Sequence, residues 1–258
     1  MGRKIIWSKN PEITRMKLRE KMKGNKYALG HKQTKEHINN SSFRRMKKEI
    51  INLQLYKDEV IIGLMLSDAS LSKPQTQFQN ARFFLTQSQK YRELIDFVEN
   101  YLNDLGFSTS RQSYVRELGD IINLSTRHYP DFRILREKWY TEGKKIIPTD
   151  IILTPKTLAW WFMGDGGSRY TYKKLIVEVQ LCTESFQIRE VRFLIKSLES
   201  LGVKSRIKRY GVGNRIFIKK KDSVIRFMTI IKPFILPCFY YKVKIPELDS
   251  RKICKQAL

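Results

Sequence analysis

Residues Thr157 to Gly167 read Thr-Leu-Ala-Trp-Trp-Phe-Met-Gly-Asp-Gly-Gly. The apolar residues of this stretch recur at helical spacing, which predicts a helix that buries one broad face. We expect Gly166 and Gly167 to end the helix. Asp165 then lies at the C-terminal end of a buried helix, where the partial negative charge of the helix end disfavours a carboxylate. This placement predicts a cation beside Asp165.

A second stretch is built in the same way. Glu59 to Ser70 reads Glu-Val-Ile-Ile-Gly-Leu-Met-Leu-Ser-Asp-Ala-Ser, so Asp68 also follows an apolar helix, and it precedes Asp165 by 97 residues. The same offset, to within one residue, relates further pairs: Thr86 and Thr183, Ser88 and Ser185, Lys145 and Lys242, Leu105-Gly106 and Leu201-Gly202, Ile147-Pro148 and Ile245-Pro246. Matches in one register over about a hundred residues indicate an internal duplication. A single such helix is also typical of an ordinary core helix followed by a solvated Asp.

Two helices that carry small residues and each end in an Asp resemble the LAGLIDADG homing endonucleases, in particular the single-chain kind with two repeats. Ile61 to Ala69 and Leu158 to Gly166 stand where the nine-residue motif stands. The match to the motif is loose, because Trp160 replaces its first glycine in the second repeat, and Leu66 and Met163 replace its first Asp. The last Asp of the motif, which the family uses to bind metal, is present twice.

The pattern of apolar residues predicts the order α-β-β-α-β-β-α in each half. The expected fold class is α+β, with two pseudo-symmetric αββαββα repeats. The resemblance implies that antiparallel sheets form a DNA-binding saddle and that the motif helices pack at the interface between repeats. The expected organisation is a basic arm at residues 1–55, a first repeat at 56–152 and a second at 153–258. The small residues Gly63, Ser67, Ala159 and Gly164 leave room for the two helices to approach closely.

Charge dominates the composition. The 258 residues include 50 Lys and Arg against 25 Asp and Glu, a net charge of +25, which favours nucleic acid as the partner. An anionic membrane surface is the alternative, although no long basic amphipathic helix with an aromatic face is evident. No apolar run is long enough to predict a membrane span. The three cysteines (Cys182, Cys238 and Cys254) lack C-x-x-C spacing, so we expect reduced thiols rather than disulfides or a zinc site.

The first 55 residues hold 15 Lys and Arg and only four Asp and Glu. This segment is poor in large apolar residues and interrupted by glycines, so it is predicted to be an extended DNA-binding arm with short helices. A solvated basic tail is the alternative interpretation.

Alternation along the predicted strands assigns residues to sheet faces. Leu175, Val177, Val179 and Leu181 are expected in the core, with Lys174, Glu178, Gln180 and Cys182 on the opposite face. In the major groove, Arg and Lys suit guanine and Gln suits adenine. The residues predicted on this basis to contact DNA are Arg82, Gln112, Arg116, Lys174, Gln180, Lys204, Arg206, Lys208, Arg215 and Lys219. For any one of them, a lysine-rich sheet edge kept soluble by its charge is the alternative.

Asp68 and Asp165 are expected side by side at one end of the packed helices. Two adjacent carboxylates repel each other unless cations lie between them, and Mg²⁺ prefers such oxygens. We expect two or three divalent ions shared by the two Asp residues, with Ser67 and Gly164 at the same site. The resemblance implies that Lys145 and Lys242 are basic-pocket residues that orient water or neutralise developing charge. Surface lysines are the alternative. Gln87 and Gln180 are further candidates for positioning water.

The resemblance implies a monomeric, Mg²⁺-dependent, site-specific double-strand DNA endonuclease encoded in an intron. A maturase that binds intron RNA is the alternative from another class, and a DNA-binding regulator, which needs no paired Asp, is a third. The expected location is intracellular, with a mitochondrion or chloroplast favoured and a phage or bacterial host as the alternative.

Overall fold

Two Asp-bearing helices pack against each other at the centre of a repeated α+β arrangement. The computed structural model describes residues 55–74, 80–117, 119–171 and 176–243. The predicted arm lies outside the described residues except for Leu55, as do Lys174, Leu175, Cys254 and the Ile245-Pro246 pair.

The first repeat follows the predicted order of elements. It comprises α1 (Glu59–Leu66), β1 (Ser70–Leu71), β2 (Phe83–Ser88), α2 (Arg92–Asp104), β3 (Thr109–Tyr114), β4 (Ile121–Thr126) and α3 (Pro130–Trp139). The four strands form an antiparallel sheet in the order β1-β2-β4-β3. A small hairpin of β5 (Tyr140–Thr141) and β6 (Lys144–Lys145), which the sequence did not predict, follows α3.

The second repeat replays this order. It comprises α4 (Pro155–Asp165), β7 (Gly166–Tyr170), β8 (Ile176–Leu181), α5 (Ile188–Ser200), β9 (Arg206–Tyr210), β10 (Gly213–Ile218) and α6 (Lys221–Ile231). Its antiparallel sheet has the equivalent order β7-β8-β10-β9. A 3-10 turn, Pro237–Lys242, follows α6. The predicted α+β class with two αββαββα repeats is confirmed.

Side-chain caps begin both central helices. Asp58 Oδ1 accepts hydrogen bonds of 2.9 Å from the Val60 and Ile61 amides before α1. Thr154 Oγ1 accepts one of 3.1 Å from the Thr157 amide before α4. Both helices are buried on all sides rather than on one broad face. They pack on each other, and α4 also contacts α6 and β7.

Glycines set the distance between α1 and α4. A Cβ added to Gly63 would lie 2.7 Å from the Thr157 carbonyl oxygen and still closer to the Trp160 Cβ. The expectation that small residues permit a close helix approach is therefore confirmed. The expectation that Gly166 and Gly167 end the helix is confirmed, since α4 stops at Asp165 with Gly166 as its C-cap, although Gly166 is extended, with φ −91°, and begins β7. A side chain on Gly166 would collide with Phe162.

Among the described residues of β8, the sheet faces follow the predicted alternation except at Val177. In β8, Val179 and Leu181 are buried, as expected, and Gln180 lies on the opposite face. Val177 is 37% exposed, which contradicts its assignment to the core. The register between β7 and β8 shifts at this point, with Arg169 opposite Glu178 but Tyr170 opposite Ile176. Val177 is the extra residue of this bulge, and a bulge interrupts alternation.

Amphipathic helices cover the inner faces of the sheets. Helix α2 buries Leu94, Ile95, Val98 and Leu102, and α5 buries Val191, Leu194 and Leu198. Helix α6 packs beside α4, where the rings of Phe227 and Phe162 meet edge to face at 5.5 Å. Among the described helices, none has the length and hydrophobicity needed to cross a membrane.

Candidate active site and nucleic-acid interface

The two Asp carboxylates lie where the central helices end. Asp68 follows the C-cap of α1 and Asp165 is the last residue of α4. Burial raises the pKa of Asp68 above its ordinary value, although a hydrogen bond from Gln87 and the charges of Lys145 and Lys242 oppose this change. Lys145 and Lys242, which lie far from Asp68 in sequence, therefore both favour the charged form of its carboxylate in the folded protein.

Asp165 has the more strongly shifted pKa of the pair. Burial and the negative charge of Asp68 raise the pKa of Asp165 to about 6, against the opposing charges of Lys145 and Lys242. Two carboxylates that disfavour each other's charge in a partly desolvated site form an arrangement typical of functional groups. The structure thus brings Asp68, Asp165 and both lysines together.

Lys145 reaches the end of α1 from the β5–β6 hairpin. Its Nζ donates to the Ser67 carbonyl at 3.1 Å and to the Ala69 carbonyl at 2.7 Å. Burial lowers the pKa of Lys145 to about 8, while the charges of Asp165 and Asp68 act to raise it. Lys145 therefore donates hydrogen bonds at the carbonyl end of α1 and also interacts electrostatically with the two carboxylates.

Lys242 has the equivalent position in the second repeat. Its Nζ donates to the Met163 carbonyl at 2.8 Å and to the Gly166 carbonyl at 2.9 Å. Burial also lowers the pKa of Lys242. The predicted cation beside Asp165 is thus present as a side chain, since a lysine at each helix end offsets the negative pole of the helix.

Gln87 contacts the first carboxylate directly, because its Nε2 donates to Asp68 Oδ2 at 2.5 Å. The residue 97 positions later is Glu184, which lies close enough to raise the pKa of Asp165. Gln180 was predicted in its place, and Glu184 was missed. The 97-residue register indicates Glu184 as the counterpart of Gln87, because the neighbouring pairs at 86 and 183 and at 88 and 185 have the same offset.

Ser67 and Gly164 occupy equivalent positions and face each other. A Cβ added to Gly164 would lie 2.6 Å from Ser67 Oγ and 3.0 Å from Asp68 Oδ2. The Ser67 carbonyl already accepts from Lys145, and Ser67 Oγ donates to the Gly63 carbonyl at 3.1 Å. These contacts place both residues beside the carboxylates, where the absence of a side chain on Gly164 leaves space for Asp68.

The donor set suits a hard divalent cation. Asp68 and Asp165 supply carboxylate oxygens, which Mg²⁺ prefers, and Mg²⁺ commonly binds through one or two carboxylates, keeping waters and phosphate as its other ligands. In the described ranges, no group of three or more His, Cys, Asp and Glu side chains is placed to hold a metal ion. A bound cation would offset the repulsion from Asp68 that helps to raise the pKa of Asp165.

In the second repeat, the outward face of the sheet carries most of the predicted basic residues. Arg206 lies opposite Phe217 and Lys208 opposite Arg215, so the register places all four on one face. Arg206, Lys208 and Lys204 are exposed, although Lys204 precedes β9.

Two basic residues of that face already have acidic partners. Arg215 Nε donates to Glu184 at 2.6 Å and its Nη1 to Gln180 Oε1 at 3.0 Å. Lys219 Nζ lies 2.5 Å from Glu178 Oε2. Burial of Glu178 acts to raise its pKa, but the hydrogen bonds from Lys219 and Gln180 and the charges of Lys219 and Arg169 together outweigh burial and lower it. Arg215 and Lys219 would have to exchange these partners to reach a base.

In the first repeat, the outward sheet face is polar rather than basic. Gln112 lies opposite Asn123, which in turn lies opposite Thr86, and Thr86 Oγ1 donates to Asn123 Oδ1 at 2.8 Å. Asn123 was not among the predicted contacts. Arg82 stacks over the Phe84 ring at 4.6 Å, and Arg116 is exposed just beyond β3.

The described thiols agree with the expected reduced state. Cys182 and Cys238 are free and half-buried. Burial raises the pKa of each thiol to about 11, so both are unreactive at neutral pH.

Comparison with known proteins gives a consistent family. A protein of Methanocaldococcus jannaschii is 30% identical over 191 residues, 71% of this chain and 72% of its own length. The cytochrome b mRNA maturase bI2 of Debaryomyces hansenii is 29% identical, covering 76% of this chain and 78% of its own. A Wickerhamomyces canadensis protein named "Probable intron-encoded endonuclease 1" is 27% identical, covering 80% and 91%.

The fold has a solved counterpart. The homing endonuclease I-WcaI, whose structure was determined bound to its DNA recognition sequence, superposes with a TM-score of 0.65 at 24% identity, covering 85% of this chain and 96% of that one. A model of the LAGLIDADG DNA endonuclease family matches residues 58–226, which contain both Asp motifs. The predicted family is confirmed: the chain belongs to the LAGLIDADG DNA endonuclease family.

Proposed function

We propose that this protein is a site-specific homing endonuclease that hydrolyses both strands of a DNA target. The observation that carries the proposal is the meeting of Asp68 and Asp165 at the ends of two equivalent helices, with Lys145 and Lys242 acting on both carboxylates. A pseudo-two-fold pair of acidic and basic groups suits a duplex, whose two strands present two equivalent phosphodiesters.

Each residue of the site has a distinct task in this proposal. Asp68 and Asp165 would hold two or three Mg²⁺ ions, which supply Lewis-acid activation of water and of the leaving oxygen when bound. Lys145 and Lys242 place positive charge where the phosphate gains negative charge. Gln87, through its bond to Asp68, fixes the orientation of that carboxylate and leaves its amide oxygen able to accept from a water.

The two outward sheet faces are the proposed DNA-binding saddle of a monomer. Arg206, Lys208 and Lys204 are positioned to contact phosphates or guanines, and Gln112 and Asn123 provide the hydrogen-bonding groups that suit adenine. The net charge of +25 supports a polyanionic partner. The basic arm of residues 1–55 remains a predicted extension of this interface.

A cleavage selection from random DNA tests the proposal. The full chain is incubated with a library of randomised duplexes, and new DNA ends are captured in Mg²⁺, in Ca²⁺ and in EDTA. We expect one related group of sequences, cut on both strands at a constant stagger in Mg²⁺ only. Ends that lack a common sequence, or cleavage undiminished by EDTA, would contradict the assignment.

Splicing assistance is a second candidate function, because the Debaryomyces hansenii relative is named as a cytochrome b mRNA maturase. In that role the protein binds intron RNA, and the same relative supports an organellar location, with a mitochondrion or chloroplast proposed. A gel-shift titration of the chain with its host intron RNA separates the two activities. Tight binding to the intron and acceleration of splicing by a cleavage-dead variant would establish the maturase function.

A further inference from the structure

The two candidate catalytic lysines lie on segments that cross from one repeat to the other. We call residues 145–150, which follow α3 of the first repeat and begin with Lys145, the first strap. We call residues 237–243, which follow α6 of the second repeat and contain Lys242, the second strap. Each strap carries its lysine to the carbonyl end of the central helix of its own repeat. The backbone of each strap bonds to its own repeat, at Ile146 in the first strap and at Tyr241 and Lys242 in the second. In addition, one backbone amide of each strap bonds to a carboxylate of the opposite repeat.

Glu190 anchors the first strap. The Ile147 amide, two residues after Lys145, donates to Glu190 Oε1 at 2.9 Å. Glu190 belongs to α5 of the second repeat and is only 8% exposed. Its other oxygen accepts from the Gln187 amide at 2.6 Å. Both oxygens of this carboxylate are thus engaged by backbone donors, and one of those donors comes from the other repeat.

Glu93 anchors the second strap. The Cys238 amide, four residues before Lys242, donates to Glu93 Oε2 at 3.0 Å. Glu93 belongs to the first turn of α2 in the first repeat. The same strap forms a hydrogen bond of 2.6 Å between Tyr241 and Tyr91, whose ring also stacks on Phe239 at 4.7 Å. The second strap is therefore tied to the first repeat by three contacts.

The two anchors are equivalent residues. Glu93 and Glu190 are 97 positions apart, the offset that relates Asp68 to Asp165. Both lie in the first turn of the helix that follows the second strand of their repeat. Hydrogen bonds from backbone amides to a carboxylate are among the stronger protein hydrogen bonds. The arrangement is reciprocal, since each repeat supplies a carboxylate that accepts from a backbone amide in the lysine-bearing segment of the other.

We propose that Glu93 and Glu190 are positioning residues for cleavage, Glu93 acting through Lys242 and Glu190 through Lys145. This inference rests on the proposed endonuclease function. A lysine side chain is long and flexible, so the location of its Nζ depends on how firmly its backbone is held. Misplacement by about 1 Å reduces catalytic rates by about 100-fold in well-organised sites. In this arrangement, cleavage that uses the lysine of one repeat depends on the correct folding of the other repeat.

Strand-resolved cleavage tests the proposal. A duplex that carries the selected target, end-labelled on either strand, is cut by excess protein in Mg²⁺ under single-turnover conditions. We expect Glu93→Ala to slow, by about 10-fold to 100-fold, the same strand that Lys242→Ala slows, and Glu190→Ala the strand that Lys145→Ala slows. Glu93→Gln, which keeps an acceptor for the Cys238 amide, should restore most of the rate.

Two controls separate positioning from general loss of structure. Gln187→Ala changes the N-cap side chain of α5 but keeps Glu190 and its bond to Ile147, so it should show no strand preference. The double variant Glu93→Ala/Lys242→Ala should cleave no more slowly than Lys242→Ala alone, because Glu93 acts through that lysine. Amide hydrogen exchange without DNA should rise in residues 237–243 for Glu93→Ala and in 145–150 for Glu190→Ala.

The outcomes distinguish this inference from the function on which it rests. Absence of Mg²⁺-dependent cleavage by the unaltered protein would overturn the proposed function, and the inference with it. Cleavage by the unaltered protein, combined with equal slowing of both strands or with multiplicative effects in the double variant, would overturn the inference alone. Unchanged hydrogen exchange in the strap of each Glu variant would overturn it as well.

Discussion

Ser67 and Gly164 face each other across the two central helices at equivalent positions of the repeats. A Cβ on Gly164 would lie 2.6 Å from Ser67 Oγ and 3.0 Å from the Asp68 carboxylate. One turn earlier, Gly63 meets the backbone of α4 at Thr157 and the Cβ of Trp160. The close packing of α1 on α4 therefore depends on glycine at positions 63 and 164. This packing brings Asp68 close to Asp165.

Replacing Gly63 should destabilise the protein. In Gly63→Ala the new methyl group meets a backbone carbonyl, which cannot rotate away, so we expect a loss of about 1–3 kcal/mol in the free energy of unfolding. Gly167→Ala is the matched control, because no heavy atom lies within 4 Å of the added Cβ. Urea unfolding of both variants gives the comparison. Equal midpoints for the two would contradict the close packing of α1 on α4.

Neutralising either carboxylate should abolish cleavage of both strands. Asp68→Asn and Asp165→Asn remove half of the shared carboxylate set, while the outward sheet faces stay intact. We expect DNA affinity in Ca²⁺ to stay within about threefold of that of the unaltered protein, since phosphate contacts supply most of it. Cleavage and gel-shift assays on the same duplex measure the two properties. A variant with full cleavage activity would refute the shared site.

Removing a lysine should affect the strands unequally. Lys145 and Lys242 cap different helices, so Lys145→Ala and Lys242→Ala should each slow one strand more than the other and cause nicked intermediates to accumulate. Nicking of a supercoiled plasmid that carries one target shows this directly. Identical rates for both strands in both variants would mean that the lysines serve only the ends of the helices.

The metal-free protein should gain stability when Asp165 is neutralised. The folded pKa of Asp165 is about 6 against an ordinary value of 3.8, so its ionisation costs folding stability as pH rises from about 4 to about 6. Each pKa unit corresponds to about 1.4 kcal/mol. The Asp165→Asn change removes this cost, but it also removes a counter-charge of Lys145. We therefore expect the free energy of unfolding to rise by about 1–2 kcal/mol above pH ~6.5. The gain should vanish near pH 4. Thermal melts in EDTA across this range test the sign, and a gain that does not vary with pH would contradict it.

The exposed basic row should bind DNA chiefly through phosphates. Arg206→Ala and Lys208→Ala should each reduce the slope of log K against log salt concentration by about 0.9 if each contacts one phosphate. Arg192→Ala, an exposed change on α5 behind the sheet, should leave the slope unaltered. An unchanged slope with weaker discrimination between target and random DNA would assign the residue to base reading instead.

The order of elements and the duplicated Asp helices could be predicted because they depend on short-range information. Helical spacing of apolar residues, alternation along strands and a constant 97-residue register are all visible in the chain itself. That register also contained Glu184 as the counterpart of Gln87, although Glu184 was not predicted from it. Alternation failed at Val177, because a bulge depends on how β7 and β8 pair rather than on either strand alone.

The sequence by itself determined the family, the α+β repeats and the identity of the carboxylates and lysines that meet. Only the tertiary structure decided which groups those residues contact. The amide of Cys238 bonds a carboxylate 145 residues away, and Arg215 is held by Glu184 instead of extending freely from the sheet. Such pairings depend on the distance and orientation of packed elements, which spacing along a chain does not encode. The contact of each strap with the opposite repeat is therefore a property of the assembled fold.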